Sequence, residues 1–125
     1  MPKKIIRHDG FCPIERVLDV FGGKWKPAVI NALEEEGVLR FNELRRALPD
    51  VSQRMLTKQL RELERDGIVS RRHFPDIPPR VEYSLTELGE SLRPIGRALD
   101  AWGAEKMPEV EEARLAYDRT RVESP

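Results

Sequence analysis

The sequence predicts a mainly α-helical chain with one small β-hairpin, an α+β fold in a single domain. Three observations carry that expectation. Apolar residues recur at helical spacing through most of the chain, as in Leu56, Leu60 and Leu63. Between about residues 69 and 85 the pattern switches to alternation, in "IVSRRHF" and "RVEYSL". Glycine or proline stands between most of the periodic stretches.

Taken in order, residues 1–11 read as an arm outside the fold. "CPIERVLDVFGG" reads as a short helix: Pro13 suits a first helical position, Ile14, Val17, Leu18 and Phe21 share a face, and Gly22-Gly23 stop it. "KWKPAVINALEEEG" is a second helix. Pro27 is tolerated only in a first turn, so this helix starts near Lys24 to Lys26. Its expected buried stripe is Trp25, Val29, Ala32 and Leu33.

"VLRF" is long enough for one small strand. Asn42 is the expected cap of the next helix, "NELRRALP", with Leu44, Ala47 and Leu48 facing inward. Pro49-Asp50 makes a tight turn. In "VSQRMLTKQLRELERDGIV", Ser52 is the N-cap, Val51 and Leu56 are placed for a hydrophobic staple, and Gly67 is the stop.

The alternating segments form a hairpin with Val69, Val81, Tyr83 and Leu85 inward. Its connection, "PDIPP", is too long and stiff for a two-residue turn, so the tip protrudes. Thr86 caps "TELGESLRPIGRALDAWGAEKM", in which Pro94 predicts a kink or break. Leu88, Leu92, Ile95, Leu99 and Trp102 mark its apolar face. Pro108 then opens a last helix with acids in its first turn. The resulting order, two helices joined by a tight turn and followed by a hairpin, is that of a winged helix-turn-helix.

Composition narrows the function. The 125 residues carry 22 Lys plus Arg against 22 Asp plus Glu, which argues against an unselective coat on nucleic acid. Apolar runs are too short to span a membrane, and "MPKKIIRHDG" has no apolar core of a secretory signal. A single cysteine excludes an intramolecular disulfide framework, so a cytoplasmic location is expected. With two histidines and one cysteine there is no zinc spacing, and "FGGKW" is not a phosphate loop. No cofactor is expected. No nucleophile–base pair or carboxylate pair is singled out, so an enzyme is not expected.

The charge is uneven, however. From Leu39 to Phe74 there are nine Lys/Arg against five Asp/Glu. Arg54, Lys58, Arg61 and Arg65 share one helical face, opposite the leucines. Alone, such a stripe is more often a solvated face than a binding site. After a helix and tight turn, and before a hairpin, it reads as a DNA-contacting helix. Helix-turn-helix readers use the first half of the second helix on base edges, which selects Ser52, Gln53, Arg54, Thr57 and Lys58. Arg54 has the fork for guanine and Gln53 the amide for adenine. Arg61 and Arg65 suit phosphates. Arg72 and Arg80 in the wing, with Arg71 and His73 near them, and Lys24 and Lys26 at the second helix are further backbone candidates. Arg71 and Arg72 alternate faces, so one of them is expected to be structural or to pair with Glu82.

"CPIERVLDVFGGKWKPAVINAL", "LRFNELRRALPDVSQRMLTKQLRELERDGIVSR" and "PPRVEYSLTELGESLRPIGRALDAWG" together resemble the HxlR-type family of transcription regulators, a branch of the MarR-like winged-helix proteins. The resemblance runs from about Cys12 to Trp102. It implies a DNA-binding homodimer without enzymatic activity, joined through the first and C-terminal helices. The matching apolar residues are Ile14, Val17, Phe21, Ile95, Leu99 and Trp102. Trp25 and Trp102 accordingly fit core or dimer packing better than a cofactor box.

The resemblance also points to Cys12, because some relatives use a Cys-Pro cysteine at this place to sense oxidants or electrophiles. A thiol at a helix N-terminus has a lowered pKa and more thiolate. A half-buried cysteine with no sensing role is the plain alternative. The division expected is an arm at 1–11, a DNA-binding and dimerisation domain at 12–107, and a C-terminal helix and tail at 108–125. The function expected is an operator-binding regulator, with an electrophile or small molecule as effector. The rival is a winged-helix protein-interaction module without DNA.

Overall fold

The computed structural model describes residues 13–123 of the chain. The arm at 1–11 and Cys12 lie outside the described residues. The elements are α1 (Pro13–Phe21), α2 (Lys26–Glu36), β1 (Val38–Arg40), α3 (Phe41–Ala47), α4 (Gln53–Arg65), β2 (Val69–Phe74), β3 (Arg80–Leu85), α5 (Glu87–Glu90) and α6 (Arg93–Glu123). The mainly helical α+β winged helix-turn-helix expected from the sequence is therefore present.

Apolar periodicity decides the core. Val29 and Leu33 of α2, Leu44 of α3, Leu56 and Leu63 of α4 and Val69 of β2 are its largest fully buried side chains. At about 1.5–3 kcal/mol for each fully buried side chain of this size, such a cluster is the main stabilising term. The antiparallel sheet has the order β1-β3-β2. β1 pairs with β3 through Leu39 opposite Tyr83, so the "VLRF" strand closes one edge of the hairpin sheet.

Several local expectations need revising. Asn42 does not cap α3. The helix starts one residue earlier, at Phe41, and the Glu43 carboxylate accepts the Arg40 N–H at 2.7 Å. Ala47 is exposed rather than inward, because α3 needs only Leu44 fully buried. Pro108 does not open a separate helix and sits inside α6. It removes one backbone donor there, but the flanking Ala, Glu, Met and Arg residues are strong helix formers. Near Pro94 the expected break is real: α5 ends at Glu90 and α6 begins at Arg93, so the proline falls in a first turn.

The end of α4 is fixed by a small polar clasp. Gly67 takes a positive φ of 78° as the helix stops. Thr86 then closes over it. Its N–H donates to the Ile68 carbonyl at 3.0 Å, and its hydroxyl donates toward the carbonyls of Gly67 and Ile68. The same hydroxyl accepts the Gly89 N–H at 3.0 Å, capping α5 as the sequence suggests. A Cβ at Gly89 would run into the Ile68 carbonyl oxygen, so this crossing requires glycine.

Two compact units divide the chain, one ending at Glu90 and the other starting at Ser91. The first holds the sheet and α1 to α5. The second is α6, on which Ile95, Leu99 and Trp102 share a face by spacing and are all exposed.

Candidate nucleic-acid interface

α4 is built to show one face and bury the other. Ser52 has extended backbone, and its hydroxyl accepts the Met55 N–H at 3.0 Å. That cap is worth about 1 kcal/mol against alanine. Val51 and Leu56 are both buried, as a hydrophobic staple requires. Leu56, Leu60 and Leu63 lie in the core, and Arg54, Lys58, Arg61 and Arg65 are all exposed. The basic stripe thus faces outward along the whole helix.

Within that face the candidates differ. Gln53 and Arg54 are exposed in the first turn. The Thr57 hydroxyl donates to the Gln53 carbonyl at 2.9 Å, leaving only its acceptor side for another partner. Arg61 and Arg65 occupy the later turns. A surface depression collects Ser52, Gln53, Arg54, Thr57, Lys58 and Arg61 with Met55 and Glu62. Its lining includes the whole set selected from sequence for reading and the first of the phosphate candidates.

The wing is where sequence reasoning was least able to choose. A second depression brings Arg71 of β2 together with Gln53, Thr57, Arg61 and Glu64 of α4, beside Phe41 and Tyr83. Arg71 therefore shares a cleft with α4. Arg72 is exposed, its guanidinium 5.3 Å from the Phe74 ring centre, and it lies opposite Glu82 in the β2–β3 register. Arg80, rather than either of these, takes Glu82: it pairs with that carboxylate at 3.2 Å and also with Asp76. It stacks on Phe74 at 4.1 Å as well. Two carboxylates and a ring occupy Arg80, so it shapes the wing and does not offer a free cation.

At the other end, Lys24 is exposed, with its ammonium 5.1 Å from the Trp25 ring. Lys26 is not the phosphate candidate the sequence suggested. It is buried, donates to the Asp19 carbonyl at 3.2 Å, and pairs with Glu62 of α4 at 2.8 Å. The Glu62 carboxyl is held below its ordinary range by the Lys26 hydrogen bond first and the Lys26 charge second; partial burial opposes this, and Lys58 and Arg65 add to it. The signal for Lys26 was present in the sequence: Lys26, Val29, Ile30 and Leu33 share a helical face, and all four are buried.

Apolar surface is left elsewhere. In α1, Ile14, Val17 and Leu18 are exposed and Phe21 is half-buried. Among the described residues no group of three or more His, Cys, Asp or Glu is placed to hold a metal ion. Among them, no helix is long and apolar enough to cross a membrane.

Comparison with known proteins places this geometry among regulators. The HxlR-like helix-turn-helix family matches residues 20–111. The HTH-type transcriptional regulator YdeP of Bacillus subtilis is 47% identical over 111 residues, spanning 86% of this chain and 86% of that protein. Among solved structures, the redox regulator HypR in its reduced form is 50% identical with a TM-score of 0.74, covering 80% of this chain and 98% of that one. The reduced transcriptional regulator YodB of B. subtilis is 36% identical with a TM-score of 0.68, covering 74% and 91%.

Proposed function

The chain belongs to the HxlR-like helix-turn-helix family of DNA-binding transcriptional regulators, and from that premise we propose that it works as a cytoplasmic homodimer on a near-palindromic operator. The observation that carries the reading is the capped α4, with its leucines in the core and four cations outward. Gln53, Arg54 and Lys58 read base edges, with Ser52 and Thr57 beside them. Arg61, Arg65, Arg72 and Lys24 hold phosphates. Arg71 enters from the wing, whose tip Arg80 stiffens from within. The chain has no catalytic task and carries no cofactor.

Dimerisation supplies the second half-site. Ile14, Val17 and Phe21 of α1 and Ile95, Leu99 and Trp102 of α6 are the residues assigned to it. The exposed faces of both helices support that assignment. Twofold symmetry sets the two α4 helices about 34 Å apart, one turn of duplex.

The decisive measurement is salt dependence on a duplex selected from a random pool. Several phosphate contacts predict a loss of roughly 10³-fold or more in affinity between 50 and 200 mM salt. Flat binding over that range would leave the protein-interaction module as the better reading.

A thiol-responsive mode is favoured by the likeness to HypR, described as a redox regulator. A diamide-treated YodB structure is also among the similar ones. In this reading Cys12 is the responsive group. Because it is the one cysteine, a disulfide joins two chains or an adduct forms instead. Diamide should release the operator from the natural protein and not from Cys12→Ser. Equal release from both removes Cys12 from the mechanism.

A further inference from the structure

Lys26 is the buried charged residue among the described ones. Its position is costly, since an ammonium gives up its hydration before any partner is counted. A methionine would fill the same stripe without that cost, and apolar replacements of buried ion pairs are often neutral or stabilising. Net stability is therefore a poor reason for a lysine here. Direction is a better one. The contacts of Leu56, Leu60 and Leu63 hold α4 on the core, but apolar contact is non-directional. The Lys26 ammonium makes two directional contacts, to the Asp19 carbonyl in α1 and to Glu62 in α4. One nitrogen, carried by α2, thus joins three helices.

Glu62 sits on the same helix as the readers and lines the same depression as Arg54, Lys58 and Arg61. We propose that Lys26 is a positioning residue for DNA reading: through Asp19 and Glu62 it fixes the rotation of α4 relative to α1, and so the angle at which Gln53 and Arg54 meet the bases. This rests on the assignment of α4 as the reading helix. It makes α1 and the operator energetically linked, because a shift of α1 against α2 strains the contact that orients α4. By thermodynamic reciprocity, operator binding must also favour one placement of α1.

The test uses the full chain and its selected duplex, with a scrambled duplex beside it. Three variants are compared with the natural protein: Lys26→Met, Lys26→Arg and Glu62→Gln. Adding or removing a single charge near DNA moves both duplexes together, so the ratio of selected to scrambled affinity is the readout. Lys26→Met should keep its melting temperature and lose roughly tenfold in that ratio. Glu62→Gln should lose a similar amount, and the double variant no more than either single, since one link is broken in each. Lys26→Arg should recover part of the loss.

An unchanged ratio in Lys26→Met and Glu62→Gln overturns the proposal. So does an additive loss in the double variant. A uniform loss on both duplexes, with a salt slope shallower by about one, would make Lys26 a phosphate contact instead and also overturns it. If Lys26→Met does not fold, Glu62→Gln carries the same comparison from the solvent side of the pair. A natural protein that prefers no selected duplex would instead defeat the reading-helix assignment itself.

Discussion

α4 and α1 are both amphipathic helices that end close to a glycine, but they meet their apolar stripes differently. In α4, Leu56, Leu60 and Leu63 are at most 2% exposed. In α1, Ile14, Val17 and Leu18 are 68%, 48% and 46% exposed. The apolar stripe of α4 is covered by its own chain, whereas that of α1 stays largely open among the described residues. A homodimer interface that holds α1 while each chain folds its own α4 would separate assembly from recognition.

The largest expected effect tests that contrast directly. Leu63→Ala should lower the unfolding free energy by about 2–5 kcal/mol in chemical denaturation, through lost burial and a residual cavity. Ile14→Ala, measured on dilute protein, should change it by no more than about 0.5 kcal/mol, as exposed substitutions usually do. In sedimentation its effect should appear as weakened self-association. Equal destabilisation by the two variants would mean that α1 packs on its own chain.

The next effect lies on the outer face of α4. Arg54→Ala should cost roughly 1–3 kcal/mol of operator affinity and relax preference at one base position. A loss that is equal for all duplexes would move Arg54 to the phosphate group with Arg61. The smallest effect concerns Glu62, whose folded carboxyl titrates below its ordinary value near 4.5. A depressed carboxylate contributes stability that is present above its unfolded pKa and is lost as pH falls through the folded one. The melting-temperature difference between the natural protein and Glu62→Gln should accordingly be constant above about pH 5.5 and shrink below 4.5. A difference that persists unchanged into acid would show that the Lys26 pair does not produce it.

The sequence made α4 legible because each of its signals is local. Ser52, the leucine spacing and Gly67 lie within one helical segment and point the same way. Thr86 was legible as a cap, but its second task, holding the carbonyls of Gly67 and Ile68, joins residues about twenty apart in the chain. Lys26 was misread because a charge between Trp25 and Pro27 looks solvated unless its three-residue step to Val29 is weighed. The partners of Arg80 were not legible because the Pro-rich tip returns Asp76 onto it, and a loop path of that kind leaves no periodic trace. The missed α3 cap has a visible signature in retrospect: Arg40 and Glu43 stand three residues apart, and the carboxylate serves the backbone.

The anchoring of α4 also bears on how such a protein can change over evolutionary time. Its fixed points are Ser52, the three leucines and the Thr86 clasp over Gly67. Gln53, Arg54 and Lys58 are none of these and are exposed. Substitutions there should alter stability by no more than about 0.5 kcal/mol while changing which bases are met. With these three positions as the proposed readers, duplicated copies of such a gene would drift to new operators through three codons, with the scaffold left intact.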